Sequence, residues 1–279
     1  MKSTNASNIF WGLWIALWLV SCTPQDHLTI LHTNDTHSQV EPKANNLGGY
    51  ARRMGLIARE RMADKNLLLV DAGDFCQGTP YFNIYHGRIE IDAMNRMRYD
   101  VVTLGNHEFD NGLDTLATVL KKARFETVCA NYDFAGTALA SIVKPYTILR
   151  KGQLKIGVFG LGCDPKGLIA EKNFLPVRYL DPYPVAQQMA DTLRAQNCDI
   201  VICLSHMGTF GKTPEDVCDT ALVAHTQGID VVIGGHTHQL YTDLRVANLD
   251  GDTIPVCQIG KSGEHLGKIV LFLGDKSEK

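Results

Sequence analysis

No CxxC pair occurs anywhere in the 279 residues, which excludes a zinc knuckle and gives no support to a dense disulfide framework. Positive charge is not in surplus either. The 27 Lys and Arg stand against 30 Asp and Glu, a net charge of −3, and this removes a nucleic-acid polymer as the main partner. There is no internal repeat, no low-complexity segment, and no apolar run of the roughly 20 residues that a transmembrane helix needs. What is present is an ordinary globular balance, 45% hydrophobic and 20% charged, with ample material for a large core.

The first residues are set aside before any fold reasoning. Lys2 gives a thin positive start, and Ile9 to Val20 is an apolar run of twelve positions. It ends in Leu19-Val20-Ser21-Cys22, which looks like a bacterial lipobox, where cleavage precedes a cysteine that is then lipidated. The expectation is a lipoprotein signal peptide over 1–22, a tether over 23–27 and a single α/β domain over 28–279. The alternative is an ordinary cleaved signal with a chance cysteine; either way the protein leaves the cytoplasm. Thr23, where inner-membrane retention would want aspartate, favours the outer membrane. Of the seven further cysteines, Cys129 and Cys203 sit in apolar runs as small core residues, and Cys198 with Cys203 is a pair only geometry can decide. Cys76, two residues after Asp74, is the one to watch.

From Leu28 onward, short apolar runs alternate with helical patterns. Strands are expected at Leu28 to His32, Leu67 to Asp71, Val101 to Leu104, Thr127 to Ala130, Lys155 to Leu161, Ile200 to Leu204, Val231 to Ile233, Ile254 to Ile259 and Lys268 to Leu273. Helical stripes fall at Tyr50/Met54/Ile57/Arg61, Ile91/Met94/Met97, Leu113/Leu116/Leu120 and Val185/Met189/Leu193. The methionines read as core filler. Pro176, Pro182 and Pro184 punctuate a loop without marking a boundary.

The polar residues that follow these strands are unusual as a set. Asp35 and His37 follow the first, Asp74 the second, and Asn106 and His107 the third; His206 follows the run from Ile200, and His236 and His238 the run from Val231. In α/β sheets, ligands gather outside the carboxyl ends of strands. Oxygen and imidazole groups drawn from five strand ends suit a pair of divalent ions.

Asp-x-His, Gly-Asp, Gly-Asn-His-Glu, a lone His after a strand and Gly-His-x-His together resemble the motif set of the calcineurin-like metallophosphoesterases. The longer forms, Ile30 to His37 and Gly105 to Gly112, are similar to its 5′-nucleotidase branch. The resemblance implies an α/β fold of two mixed β-sheets packed as a sandwich and flanked by helices, four layers in the order αββα. It implies one ion held by Asp35, His37, Asp74 and His238, and a second by Asp74, Asn106, His206 and His236, with Asp74 bridging. Two dications and two carboxylates leave a cluster of about +2, which attracts a phosphate dianion. A hydroxide bridging the ions would make the in-line attack. His107, not a ligand, would assist the departing alkoxide, with Asp110 orienting its imidazole. Imidazole and carboxylate suit zinc, manganese or iron without choosing among them.

Other polar residues carry less. Glu108 reads as a salt-bridge partner or a catalytic group, and His32 as a buried structural histidine. His27, His86, His225 and His265 lack ligand spacing. Asn131 reads as a turn former, and Arg52 and Arg53 as a solvated helix face. The longer 5′-nucleotidases carry a second, C-terminal domain that holds the nucleoside, and after Lys279 no counterpart is expected here. The expected activity is therefore a metal-dependent phosphomonoesterase acting on small phosphate esters, nucleotides first. A phosphodiesterase for 2′,3′-cyclic nucleotides and a subunit that turns over only with a separate substrate-binding chain are the alternatives.

Overall fold

The structure, a computed structural model, describes residues 27–213 and 216–273. The signal peptide with Cys22, the tether up to residue 26 and the terminal Gly274-Asp275-Lys276-Ser277 lie outside the described residues.

The first half runs β1 (His27–Thr33), α1 (Tyr50–Ala63), β2 (Leu67–Asp71), α2 (Pro80–Tyr85), α3 (Arg88–Met97), β3 (Val101–Val102), α4 (Leu113–Leu120), β4 (Glu126–Val128), β5 (Tyr132–Asp133) and β6 (Val143–Lys144). The second half runs β7 (Tyr146–Lys151), β8 (Leu154–Leu161), α5 (Glu171–Phe174), β9 (Arg178–Tyr179), α6 (Pro182–Ala195), β10 (Ile200–Ser205), α7 (Asp219–Ala224), β11 (Val231–Ile233), β12 (Leu240–Ala247), β13 (Thr253–Ile259) and β14 (Gly267–Phe272). Where local chemistry is visible it agrees. Asp181 caps α6 by accepting from Tyr183 N, and Pro182 opens its first turn.

Two six-stranded sheets form, β14-β1-β2-β3-β4-β6 and β12-β13-β11-β10-β8-β7. Each has a parallel centre and at least one antiparallel edge, with β14 on β1, β12 on β13 and β7 on β8. The sheets bury one face against each other through Ile30, Leu68 and Val70 on one side and Val158, Ile202 and Ile233 on the other. The outer face of the first sheet, with Leu31, Leu69 and Val102, packs under Ile57, Ile91, Met94 and Leu116 of its helices. The second sheet's outer face, with Phe159, Val201 and Cys203, packs under Met189, Leu193 and Leu222. This is the αββα sandwich. Burial on both faces explains why the central strands read as unbroken apolar runs, each such side chain contributing about 1.5–3 kcal/mol.

All nine expected strands are present, with ends shifted by up to two residues. The edge strands β7 and β12 were not expected, because their exposed residues break the apolar run. The α1 stripe also needs correction. Met54 is exposed, and the buried positions are Arg53 and Ile57. Arg53 is thus no solvated helix residue; its guanidinium lies over the Tyr50 ring, 5.3 Å from the centroid, whereas Arg52 stays outside and bonds Asn46. All seven described cysteines are buried and free, Cys198 and Cys203 included.

One polar residue is built into the strand ends. Asp71, fully buried at the end of β2, accepts from Thr33 Oγ1 and from Gly73 N, and burial pushes its carboxyl up to about 7. An unfolded aspartate titrates near 3.9, so between about pH 4 and pH 7 the folded chain holds the extra proton and stability falls as pH rises. Asp71→Asn mimics the protonated form. Its unfolding free energy from urea titration, compared with the wild type at pH 5 and pH 8, is expected to gain on the wild type by roughly 2 kcal/mol or more at the higher pH. An unchanged difference contradicts a buried, proton-holding Asp71.

Candidate metal centre

The strand ends deliver their polar residues to one place. Asp35, His37 and His238 form one group and Asp74, His206 and His236 another, the ligand atoms within each lying within 4.8 Å of one another. The two groups share an edge: His206 Nε2 is 3.0 Å from Asp74 Oδ2 and 3.8 Å from Asp35 Oδ1. His238 Nε2 is 3.3 Å from Asp35 Oδ1 and 3.0 Å from His37 Nε2. Asn106 joins through its Oδ1, 3.0 Å from His236 Nδ1. Every residue expected as a ligand is therefore at this junction of the two sheets.

The backbone bends sharply to bring them there. Asp35 (φ 49°), His37 (44°), Asp74 (56°), His236 (73°) and His238 (58°) all adopt left-handed conformations. Asp and His tolerate this region better than branched residues, yet each such residue costs roughly 1 kcal/mol or more, and strain of this kind concentrates at functional sites. Gly105 is required by close approach, since a Cβ there would stand 2.2 Å from Asp74 Oδ1 and 2.7 Å from His206 Nε2.

Electrostatics favour a cation. Asp35 and Asp74 are both buried. Burial opposes an imidazolium at His206, but Asp74 and Asp35 outweigh it and hold the ring up to about 10. Burial would likewise raise Asp74, yet His206 and its neighbours hold it well below the usual carboxylate range. His236 is pushed down to about 4, by burial first and then by His206. His206 Nδ1 donates to Ala72 O at 2.6 Å, which fixes the ring with Nε2 toward the carboxylates. Two imidazole nitrogens facing each other at His37 and His238, and a ring nitrogen facing an amide oxygen at His236 and Asn106, are donor sets that point inward. The residues present fit divalent cations, which would take the place of the His206 proton.

His107 stands beside this group, its ring centroid 5.5 Å from that of His37. Its backbone N–H donates to Asp74 Oδ1 at 2.9 Å, and its Nδ1 is 2.9 Å from Asp110 Oδ2. The bond to Asp110 raises the His107 pKa against partial burial.

Several supporting residues had no such role in the sequence reading. Glu108 is neither an ion-pair partner nor a group facing the centre. It is buried, and its carboxylate accepts the backbone N–H groups of Asp74 (2.9 Å), Cys76 (3.0 Å) and Gly105 (2.6 Å), tying two ligand loops together. Asn34 bonds Asp35, Gly260 O and Ile259 N across the sheets. Gln258 bonds Gly235 O, Gln239 N, Thr237 and Thr209, fixing the loop that carries His236 and His238. A glutamine inside the apolar run Ile254 to Ile259 was the available signal, since a buried amide needs partners. Asp219 accepts from Ser205 Oγ and braces the loop after β10.

The remaining candidates stay outside. His32 is buried, with its pKa lowered to about 4 by burial. His27 pairs with Asp64, and His225 stacks on Tyr183. His86 ends α2, and His265 lies against Gly260. Asn131 spends both amide atoms on the backbone of Gly162 at 2.8 Å.

Glu108→Gln tests the clamp. It turns one acceptor oxygen into an NH2 facing N–H groups, and a buried donor without an acceptor costs about 1–3 kcal/mol. The expected result is an unfolding free energy from urea titration lower by that amount and weaker divalent-cation binding; a variant of wild-type stability removes the clamp from the account.

The chain matches the calcineurin-like phosphoesterase family over residues 28–240. It is 34% identical to a snake venom 5′-nucleotidase of Naja atra, covering 90% of this chain and 51% of that protein. A solved 5′-nucleotidase precursor from Thermus thermophilus superposes with a TM-score of 0.81 at 34% identity, over 89% of this chain and 52% of that one. The calcineurin-like phosphoesterase YfkN from Bacillus subtilis gives 0.76 at 31%, over 91% and 87%. The chain spans about half the length of the curated relatives it matches. With its two-sheet fold and its inward-facing carboxylates and imidazoles, the chain belongs to the calcineurin-like phosphoesterase family.

Proposed function

We propose that this 5′-nucleotidase-like metallophosphoesterase hydrolyses phosphate monoesters, nucleoside 5′-monophosphates first among them, and releases orthophosphate. The observation that carries the reading is the pair of ligand groups lying beside a preformed His107–Asp110 bond. Asp35, His37, Asp74 and His238 would hold one divalent ion, and Asp74, Asn106, His206 and His236 the other. Such ions supply positive potential for the phosphate and make water nucleophilic at neutral pH.

The chain's own residues do the rest. The water oxygen forms a bond to phosphorus as the ester oxygen leaves, and that alkoxide needs a proton. His107 is placed to give it: Asp110 accepts from Nδ1, fixing the ring and favouring its charged form, and leaves Nε2–H for the leaving group. The backbone bond from His107 N to Asp74 Oδ1 ties the His107 main chain to a ligand carboxylate. Nucleotide preference is supported by the 5′-nucleotidase relatives. Anchoring by a lipid at Cys22 is supported by the sequence Leu19-Val20-Ser21-Cys22. No helix among the described residues is long and apolar enough to cross a membrane.

Phosphate release from AMP and from p-nitrophenyl phosphate by the manganese- or zinc-loaded chain tests this reading. His107→Ala is expected to lower kcat by about 10²–10⁴ with bound metal unchanged, and Asp110→Asn by less. Activity on neither ester, or a His107→Ala variant as active as the wild type, overturns it.

A further inference from the structure

The parallel strands separate two ends of the domain. Their C-terminal ends carry the ligand groups; their N-terminal ends are reached through the α1–β2, α3–β3, α4–β4 and β7–β8 connections. On the side of the first sheet's helices that second end is basic, whereas on the second sheet's side Asp199, Asp230, Asp250 and Asp252 stand beside Arg194, Arg245 and Lys268. Arg61, Lys65, Arg96, Arg98 and Lys151 line one cavity of about 540 Å³ together with Met54 and Met62. The α4–β4 turn joins the same face through Asn95, which donates to Lys122 O at 2.9 Å and accepts from Arg124 N at 2.7 Å.

The two carboxylates beside this cavity, Asp100 and Asp64, are already engaged. Asp100 is held by Lys151 at 2.9 Å and Arg61 at 3.9 Å, and Asp64 by His27 at 2.9 Å. Among the described residues, the exposed side chains of Lys65, Arg96, Arg98, Lys122 and Arg124 have no acidic partner. Helix C-termini favour cations, which accounts for Arg61 and Arg96. Lys65, Lys122 and Arg124 lie beyond helix ends, where the dipole gives no reason for them. In a chain of net charge −3, this is a local concentration of positive charge.

The chain also enters at this face. His27 opens β1 bonded to Asp64, and its ring lies 6.1 Å from that of Phe272. Phe272 is 65% exposed and Met62 is 74% exposed, so apolar side chains border the cations. Cys22 is five residues before His27, a stretch that can span at most about 18 Å.

We propose that this face docks on an anionic lipid bilayer, with the ligand groups at the opposite end turned toward solvent. The tethering rests on the lipid anchor at Cys22; the recognition rests on the unpaired cations and the exposed Met62 and Phe272. A basic patch beside a lipid anchor adds electrostatic attraction to an anionic surface and decides which face of the domain meets it. Each lysine or arginine near an anionic surface strengthens binding about fivefold.

The test uses the chain from Thr23 onward, whose core clusters lie wholly within residues 27–273. It is sedimented with vesicles of phosphatidylglycerol and phosphatidylcholine, and with phosphatidylcholine alone. Binding is expected on the anionic vesicles only, and to weaken as salt rises. Combining Arg96→Gln, Arg98→Gln, Lys122→Gln and Arg124→Gln is expected to lower partitioning by about a hundredfold or more, with hydrolysis of p-nitrophenyl phosphate unchanged. No binding to anionic vesicles, equal binding of variant and wild type, or tighter binding to a single-stranded RNA oligomer overturns the proposal. The anchor is tested apart, by palmitate labelling in cells and its loss in Cys22→Ser. Absence of label removes the anchor and leaves the vesicle result to decide the face.

Discussion

Two carboxylates, Asp35 and Asp74, are buried at the seam between the sheets, where an uncompensated charge costs several kcal/mol. Everything nearby answers that demand. Four imidazoles and an amide oxygen turn toward them, and His206 takes a proton against its own burial to supply positive charge. The left-handed residues add strain of roughly 5 kcal/mol in all, a sum comparable to the whole stability of an ordinary domain. Such a site does not persist by local preference. It is held by Glu108, Asn34 and Gln258, whose side chains bond the backbones of the ligand loops.

The sandwich makes that convergence possible. Neither sheet alone carries both groups: β1, β2 and β3 bring Asp35, His37, Asp74 and Asn106, and β10 and β11 bring His206, His236 and His238. Packing the inner faces through Ile30, Val70, Ile202 and Ile233 places the strand ends together, so the apolar core sets the distances between polar groups. The same geometry sends the basic α1–β2, α3–β3 and α4–β4 connections and the start of β1 to the opposite end, away from the ligand groups.

Much of this was legible in the sequence because the central strands are buried on both faces and each ends in a polar residue. Leu67 to Asp71 and Val231 to Ile233 were bounded to the residue. The seven ligand candidates lie where strand ends put them. What was not legible involved contacts between residues distant in sequence. Glu108 gives no sign that its carboxylate would reach Asp74 and Cys76, and Arg53 sits in a helix whose apolar periodicity favoured Met54 for the core. The edge strands β7 and β12 escaped because one-sided burial leaves too few apolar positions to mark them.

The most direct test is the number of divalent ions bound per chain, by elemental analysis after manganese or zinc loading and desalting. The account predicts about two, with both weakened in Asp74→Ala because the proposed ligand assignment has that carboxylate shared by both ions, and a melting temperature that rises on loading. One ion or none, or an Asp74→Ala variant that still holds two, would contradict it.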